Sequence, residues 1–273
     1  MIVSFHPCIE ADVHIIVGDR SLTNKEKEFL KKADAIILPQ ACSRQLYEIC
    51  SNIGVPIFPE YKYRFEYPGK TGQIRLFKEL CLPYPCTICL ANKGELLKKM
   101  DYLAYKLPFF IKEDMKHEGK GIYFINSMQD IEKVWNRIPK DEPILVQQFI
   151  ECGGDVLRIV VIGEYIISYW KRPKMPDQVI TTLSENAEID YKWKPHLQEK
   201  GKRLVKDLVS KTGINLSAID MIFEEERPLL LEINYYFGRR GLGGSDRYYK
   251  LLFSAVKKWL LKLGLSASIR LVC

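Results

Sequence analysis

Short apolar stretches alternate with helical patterns over the first quarter of the chain. Residues 2–5, 13–17, 35–38 and 55–58 have the composition of short buried strands. Thr23 and Glu26 form a capping box that opens one helix between them, and Gly54 closes a second helical stretch. Because strands alternate with helices, this region is expected to fold as a small parallel sheet. The segment 61–69 interrupts the alternation and ends in Pro-Gly, which predicts a linker.

From residue 108 onward the pattern changes to antiparallel β. Strand-like runs at 109–113 and 121–125 flank a glycine-bearing loop, and another buried run follows at 144–150. The runs at 156–162 and 165–170 are joined by Gly163-Glu164, a hairpin signal. An amphipathic helix is predicted over 195–212, stopped by Gly213, and a last helix over 245–263. The fold class is therefore α/β followed by α+β.

The most informative segment is a predicted acidic hairpin, 218–224 and 228–234, joined by Glu225-Glu226-Arg227. Side chains alternate between the two faces of a strand, so the hairpin has one apolar and one polar face. The apolar face is predicted to carry Met221, Phe223, Leu229, Leu231 and Ile233. The polar face carries Asp220, Glu232 and Asn234. If Glu224 pairs with Pro228, Asp220 lies directly opposite Glu232.

Two like charges that face each other across a sheet are destabilising unless a cation lies between them. A hard divalent ion, Mg²⁺ in particular, binds through one or two carboxylates together with substrate phosphates. The alternative is a solvated acidic sheet face in an accidental register. Periodicity alone does not separate these two interpretations.

A second set of residues has the composition of an anion-binding site. Lys112 ends a predicted strand just before the loop Gly119-Lys120-Gly121, and Lys70 follows the predicted linker. Glycines let backbone N–H groups approach phosphate oxygens, and a lysine adds a point charge. An ordinary β-turn beside unrelated surface lysines is the competing interpretation.

Composition excludes several classes of protein. The 273 residues are 47% hydrophobic and 27% charged, and no apolar run approaches the roughly 18 residues of a membrane helix. The formal net charge of +7 is scattered along the chain, so it predicts no nucleic-acid-binding stripe. The start of the sequence lacks a secretory pattern, which predicts a cytoplasmic protein with reduced thiols. Cys81, Cys86 and Cys89 cluster, and free thiols or a metal or redox role remain open for them.

Taken together, the two lysines, the glycine loop, the strand ending in Val146-Gln147-Gln148-Phe149-Ile150 and the acidic hairpin resemble the ATP-grasp superfamily. The similarity is greatest to the branch of the ribosomal-protein glutamate ligase and the prokaryotic glutathione synthetases. It covers nearly the whole chain and implies three parts: an N-terminal α/β domain (1–68), a central subdomain with the glycine flap (69–148) and a C-terminal subdomain with the metal hairpin (149–273).

The resemblance implies a role for each matching residue. Residues expected to contact ATP are Lys70, Lys112, the flap residues Gly119, Lys120 and Gly121, the adenine hinge Gln147, Gln148, Phe149 and Ile150, and Asp155. Residues expected to hold Mg²⁺, or Mn²⁺ in its place, are Asp220, Glu232 and Asn234. Two arginines are expected to be catalytic: Arg158, which could reach the transferred phosphoryl group or the acyl phosphate, and Arg172, which matches a basic position at the substrate side. Asp155 and Arg158 are separated by one residue more than is usual in the family.

The substrate side departs from the family pattern. The hinge has Gln148 where a glutamate is usual, and the loop around Thr182 lacks the basic, glycine-bearing pattern of the glutamate-adding branch. After Asn234, where small residues and Pro-Gly are usual, the chain reads Tyr-Tyr-Phe-Gly-Arg-Arg-Gly. We therefore expect Thr182 near the substrate and Arg239 or Arg240 as a clamp on a substrate carboxylate, with a surface basic turn as the alternative.

The implied activity is ATP-dependent ligation of a carboxylate to an amine through an acyl phosphate, with release of ADP and phosphate. The substrates would be a small-molecule or peptide acid and an amine, with no nucleic acid or membrane as partner; the oligomeric state is open. The alternative is a protein of the same fold that binds ATP without catalysis. A nucleic-acid-binding module is a third interpretation, and it predicts steeply salt-dependent affinity.

Overall fold

The first sheet is small and parallel. The computed structural model describes residues 1–104, 106–116, 119–175 and 187–272. Four strands pair in the order β3-β1-β4-β5, as the alternating pattern predicts. The elements of this region are β1 (Ile2–Ser4), β2 (Ile9–Glu10), β3 (Val13–His14), α1 (Asn24–Lys31), β4 (Ala35–Ile37), α2 (Arg44–Ser51), β5 (Ile57–Phe58) and α3 (Lys62–Glu66).

The second sheet is antiparallel and has the order β6-β9-β7-β8. Its apolar side chains form a separate core cluster with the helices that flank it. The elements are α4 (Gly69–Glu79), β6 (Thr87–Leu90), α5 (Lys93–Leu97), α6 (Met100–Ala104), β7 (Phe109–Glu113), β8 (Ile122–Ile125), α7 (Met128–Val134), a 3₁₀ turn (Trp135–Arg137) and β9 (Ile144–Gln148).

The third sheet is antiparallel, with the order β12-β11-β10-β13-β14, and β15 pairs with β2. Its elements are β10 (Val156–Ile162), β11 (Tyr165–Arg172), β12 (Glu188–Asp190), α8 (Pro195–Thr212), β13 (Leu216–Glu224), β14 (Arg227–Asn234), a 3₁₀ turn (Arg240–Leu242), α9 (Ser245–Lys262) and β15 (Arg270–Leu271). No helix in the described ranges is long and apolar enough to cross a membrane.

Helices cover both faces of this third sheet. Leu157 and Ile159 of β10 pack in one cluster with Val205 of α8, whereas Val160 and Ile162 pack in another with residues of α9. Both helices lie where the periodicity predicts them, and α8 ends at Gly213, whose φ of +71° is the left-handed conformation of a helix C-cap. The sheet is therefore buried on two sides, except where polar residues occupy β10, β13 and β14.

The predicted linker at 61–69 is wrong in part, because the segment contains α3 and the start of α4. Tyr61 is fully buried and packs edge-on against Phe65 and Tyr235. The aromatic residues thus anchor the segment in the first core, and Pro68 separates the two helices as the N-cap of α4. Aromatic packing outweighs the turn signal of Pro-Gly here.

The register of the acidic hairpin differs from the prediction near its turn. The turn has two residues, Glu225 and Glu226, so Glu224 pairs with Arg227 and not with Pro228. A bulge between Asp220 and Met221 then restores the predicted pair of Asp220 and Glu232.

The bulge also corrects the predicted apolar face of β14. Met221 pairs with Leu230, which is fully buried and belongs to the same core cluster as Phe223. Leu229 and Leu231, placed by the prediction on that face, instead cluster with Ile150 and Ile222. The extra residue in the ladder reverses the alternation of side chains on the turn side of the bulge.

A buried polar hub joins the first sheet to the C-terminal part of the chain. Gln40 follows β4, and its amide donates to the carbonyl of Tyr235 at 3.2 Å and accepts from the Tyr248 hydroxyl at 3.1 Å. Close packing continues at Gly241, where a Cβ atom would lie 2.0 Å from the ring of Tyr169. The segment between Tyr235 and α9 is therefore held at both ends.

We expect Gly241→Ala to lower the free energy of unfolding by about 1–3 kcal/mol, because the new methyl group must displace the buried Tyr169 ring. Gly238→Ala is the matched control, since nothing lies within 4 Å of the corresponding Cβ. Urea unfolding of both variants measures the difference. Equal stability of the two variants would contradict the close packing.

Candidate active site

Three charged side chains form a row across the third sheet. Asp220 on β13 lies directly opposite Arg158 on β10 and directly opposite Glu232 on β14. Residues that face each other in an antiparallel sheet project from the same side. The antiparallel pairing therefore brings together one guanidinium and two carboxylates from three strands. We call Arg158, Asp220 and Glu232 the cross-strand row.

Asp220 is the centre of this row. Its Oδ1 accepts from Arg158 Nε at 2.7 Å, and its Oδ2 accepts from Arg158 Nη2 at 2.6 Å and from Lys171 Nζ at 2.9 Å. Burial alone would raise the pKa of Asp220, but Arg158 and Lys171 outweigh it and hold that pKa well below its usual range. Asp220 is therefore a carboxylate at every ordinary pH.

Glu232 and Asn234 complete the acidic end of the row. The amide nitrogen of Asn234 lies 2.9 Å from Glu232 Oε1 and 3.5 Å from Asp220 Oδ2. The oxygens of both carboxylates thus converge on one side chain, as the predicted pairing of Asp220 with Glu232 requires. Carboxylate and amide oxygens are the donors that hard divalent cations prefer.

The two predicted lysines approach the row from the second sheet. Lys112 on β7 donates to Gln147 Oε1 at 2.6 Å, and burial lowers its pKa to about 8. Lys70 on α4 donates to the backbone carbonyls of Glu113 and Asp114 at 3.0 and 3.3 Å, and burial lowers its pKa as well. Glu232 acts electrostatically on both lysines, which places all three groups in one neighbourhood.

Lys171 is part of this cluster although the sequence reasoning did not select it. It is almost fully buried, at 4% exposed, and its ammonium binds Asp220. The predicted hairpin turn at Gly163-Glu164 was sufficient to place Lys171, because it fixes the register between β10 and β11. With that turn, Tyr169 pairs with Arg158, and alternation puts Lys171 on the same face.

Arg172 and Asp155 lie apart from the cross-strand row. Arg172 projects from the other face of β11 to Lys171, stacks 3.9 Å from the centre of the Trp193 ring, and lies 3.5 Å from Asp155 and from Asp190. Asp155 also accepts from the Trp193 indole at 3.3 Å. Arg172 therefore lies on the opposite face of the sheet from the cross-strand row, and its expected role at the substrate side stays a prediction.

The predicted flap and hinge border the lysines. Gly119 and Gly121 have φ values of +77° and +65°, and a Cβ at Gly121 would lie 2.8–2.9 Å from Glu113 and Lys116 atoms. Lys120 between them is exposed. Residues 117–118 of this loop lie outside the described ranges.

Gln147 of the hinge is buried and bound to Lys112 and to the Thr87 hydroxyl. Gln148 is exposed, and its backbone N–H donates to the Cys86 carbonyl at 2.9 Å. Phe149 packs against Phe110 and Phe124. Ile150 forms a small apolar cluster with Ile222 and Leu229, which Cys152, Val156 and Leu231 border.

The remaining predicted residues have different surroundings. Arg239 is half-buried over two tyrosine rings, whereas Arg240 is exposed at the start of a 3₁₀ turn. Thr182 lies outside the described residues. Cys81, Cys86 and Cys89 are free and exposed, and the described part of the chain holds no group of three or more His, Cys, Asp or Glu residues arranged to bind a metal.

Comparison with solved structures identifies the class of fold as ATP-grasp. A RimK domain ATP-grasp protein from Sphaerobacter thermophilus superposes with a TM-score of 0.57 at 16% identity, covering 81% of this chain and 80% of that one. N5-carboxyaminoimidazole synthetase from Staphylococcus aureus, solved with ADP, gives a TM-score of 0.65 at 14% identity over 96% and 69%. Identities this low show the fold alone, and they confirm the fold that the motifs predicted.

The sequence profile of the RimK-like ATP-grasp domain matches residues 70–252, so the chain belongs to the RimK-like ATP-grasp family. A probable alpha-L-glutamate ligase 2 of Hahella chejuensis is 26% identical over 157 residues, which are 57% of this chain and 50% of the relative. A probable alpha-L-glutamate ligase of Legionella pneumophila (strain Corby) is 26% identical over 175 residues, 63% and 57% of the two chains. The matched segments thus span little more than half of these curated relatives.

We expect Asp220→Asn to lower the free energy of unfolding by about 3–5 kcal/mol, because Arg158 and Lys171 lose their buried counter-charge. Glu164→Gln is the control, since its partners Lys258 and Lys262 are exposed and a surface ion pair contributes little to stability. Denaturant titration at pH 7 compares them. A loss of no more than the control's would contradict the central role of Asp220.

Lys112 should make stability depend on alkaline pH. The unfolded chain keeps this ammonium protonated up to its ordinary pKa of 10.5, whereas the folded chain releases the proton near pH 8. The unfolded state therefore binds more protons between these values, so the contribution of Lys112 to stability rises with pH in that window. Melting temperatures of the wild type and Lys112→Met between pH 7.5 and 10.5 measure it. The melting temperature of the wild type should rise relative to that of Lys112→Met as the pH increases. A difference in melting temperature that does not change with pH would contradict the lowered pKa.

Proposed function

We propose that the protein is an ATP-dependent, ADP-forming ligase that joins a carboxylate to an amine. The single observation that carries this proposal is the cross-strand row with Lys171 bound to its centre. Phosphoryl transfer requires positioned charges more than a protein nucleophile. The row and the nearby lysines supply such charges from two different sheets.

The two lysines support a polyphosphate ligand. Asp220 pairs with Arg158 and Lys171, and Glu113, Asp114 and Glu232 act electrostatically on Lys70. Among the described residues, however, the ammonium groups of Lys70 and Lys112 bind backbone carbonyls and an amide oxygen and form no ion pair. They are therefore available to phosphate oxygens, and a divalent cation held by the carboxylates would add positive charge.

Other residues fit the remainder of a nucleotide. In the proposal, Gly119 and Gly121 let the flap backbone approach phosphate oxygens, because both have positive φ and neither has a Cβ to obstruct a ligand. The apolar cluster around Ile150 and Leu229 provides a surface for the adenine ring next to the hinge. The bulge supports this assignment, since it moves Leu229 and Leu231 from the core face to that cluster.

The donor set of Asp220, Glu232 and Asn234 fits Mg²⁺ or Mn²⁺. Glu232 has no cationic ion-pair partner among the described residues, whereas Asp220 already accepts from two cations. Glu232 would therefore be the principal ligand, with Asp220 shared between the ion and Arg158. Asn234 would join them through its amide oxygen, although its amide nitrogen now faces both carboxylates. Such an ion would neutralise phosphate charge during transfer.

The residues then act in the following way. Lys70 and Lys112 hold the phosphates, and Arg158 and Lys171, fixed by Asp220, stabilise the charge that develops on the transferred group. The substrate carboxylate oxygen attacks the terminal phosphorus, and the bond to ADP breaks. The amine nitrogen then attacks the acyl carbon, loses a proton, and releases phosphate. The closed flap excludes water, which would hydrolyse the acyl phosphate.

The names of the relatives support an amino acid or peptide as substrate. Both curated relatives described above are named as probable alpha-L-glutamate ligases. VanG of Enterococcus faecalis, a D-Ala:D-Ser ligase, shares the fold with a TM-score of 0.59. We propose a small amino-acid or peptide acid and an amine as the substrate pair.

The test is phosphate release from Mg-ATP across a panel of amino acids, dipeptides and dicarboxylic acids. We expect Glu232→Gln to lower the rate at least about 100-fold, because it removes a charged ligand of the proposed metal ion. Glu225→Gln in the turn of the same hairpin is the control and should keep the wild-type rate. Mg-ATP-dependent stabilisation without turnover of any pair would favour a protein that only binds ATP.

A further inference from the structure

The first sheet has a point at which the direction of its connections reverses. From β1 the chain passes to β3 on one side, and from β3 it passes to β4 on the other side of β1. Open α/β sheets bind ligands at such a point, outside the carboxyl ends of the two strands. His6 follows the end of β1 and Gln40 follows the end of β4.

Arg239 lies over this edge of the sheet. Its guanidinium carbon is 4.6 Å from the centre of the Tyr248 ring and 4.4 Å from that of Tyr249, and Nη1 donates to the Ser245 hydroxyl at 3.3 Å. None of the ion pairs formed among the described residues includes Arg239. The tyrosines thus fix a guanidinium whose charge is not neutralised by a carboxylate in that part of the chain.

His6 is the neighbour of Arg239 on the sheet side. The imidazole is 5% exposed and meets the Tyr249 ring edge-on at 6.2 Å. Its Nδ1 accepts from the backbone N–H of Cys8 at 3.1 Å, so the neutral ring carries its proton on Nε2. Burial, followed by the charge of Arg239, lowers the pKa of His6 to about 4. At neutral pH His6 is therefore an uncharged N–H donor beside a positive charge.

We propose that Arg239 and His6 form a binding site for the anchoring carboxylate of an amino-acid-like substrate, at the reversal point of the first sheet. This inference rests on the proposed ligase function and extends it. One guanidinium beside a neutral donor matches a carboxylate with a single negative charge, whereas the two lysines near the cross-strand row match a polyphosphate. Planar, bidentate recognition of a carboxylate is what a guanidinium does best.

The fold connects this site to the reacting groups. Gly241, two residues after Arg239, packs on the Tyr169 ring, and Tyr169 pairs with Arg158 across the sheet. Tyr169 therefore connects the segment of Arg239 with Arg158, whose charge acts on the Tyr169 hydroxyl. Arg240, the other predicted clamp, is exposed and takes no part.

Binding of L-glutamate measured by calorimetry in the absence of nucleotide tests the site. We expect Arg239→Gln to weaken binding at least about tenfold, because a charge-assisted hydrogen bond is lost. Arg239→Lys keeps the positive charge and the apolar stem but loses the bidentate guanidinium group, so it should weaken binding less than Arg239→Gln. A graded loss of this kind would show that the effect of Arg239→Gln is not a folding defect. Arg247→Gln is the control, an exposed arginine of the first turn of α9, and should bind as the wild type does.

Three further probes identify the group that is recognised. Glutarate keeps the carboxylates without the amine, L-alanine keeps one carboxylate and the amine, and inorganic phosphate keeps only an anion. Binding of glutarate or L-alanine that depends on Arg239 supports the site and tells whether the acid or the amine substrate supplies the carboxylate. Binding of phosphate alone at Arg239 overturns it.

The outcome is distinguishable from failure of the ligase proposal. The same samples are tested for stabilisation by Mg-ATP, which depends on the cross-strand row and not on Arg239. No binding of any carboxylate, or equal binding by the wild type and Arg239→Gln, overturns the carboxylate site while Mg-ATP stabilisation remains. If Mg-ATP does not stabilise the wild type, the ligase proposal itself is contradicted.

Discussion

The structure of the polar site depends on one buried carboxylate. Asp220 accepts two hydrogen bonds from Arg158 and one from Lys171, and these three side chains come from three adjacent strands. Removing either kind of charge would leave the other kind buried without a partner, which costs more than the pair contributes. The identity of residue 220 thus constrains two cations, and their positions in turn define where an anionic ligand is stabilised.

The other charges at the site come from a different sheet. Lys112 lies on β7, and its ammonium is oriented by Gln147 on β9, while Lys70 is held by carbonyls at the end of β7. Both lysines have lowered pKa values because they are buried, so they are poised to gain from a bound anion. A ligand between the two sheets would satisfy charges that neither sheet satisfies alone.

Much of the fold follows from local patterns. The capping box at Thr23, the C-cap at Gly213 and the helical periodicity of α8 and α9 are all found as predicted, because each is determined within a few residues. The linker failed because burial of Tyr61 depends on contacts with residues distant in sequence, such as Tyr235. The bulge escaped prediction for the same reason, since a ladder irregularity is set by packing on both faces of the sheet.

The candidate site divides in a similar way. The pairing of Asp220 with Glu232 is found as predicted, and the approach of Lys70 and Lys112 is consistent with the motifs. Lys171 was missed, and the adjacent Arg172, which was predicted for the substrate side, faces the opposite way. Motif matching compares residue types, whereas strand alternation determines which of two neighbouring basic residues reaches a site.

The bulge beside Asp220 also separates two parts of the hairpin mechanically. The residue pairs near the turn follow one register, and the pairs at the carboxylates follow a register shifted by one residue. The turn therefore does not by itself determine which residue of β14 lies opposite Asp220. A change in turn length could be absorbed by the irregularity before it reached Glu232. The length of the turn can therefore change with little effect on the geometry of the two carboxylates at the other end of the hairpin.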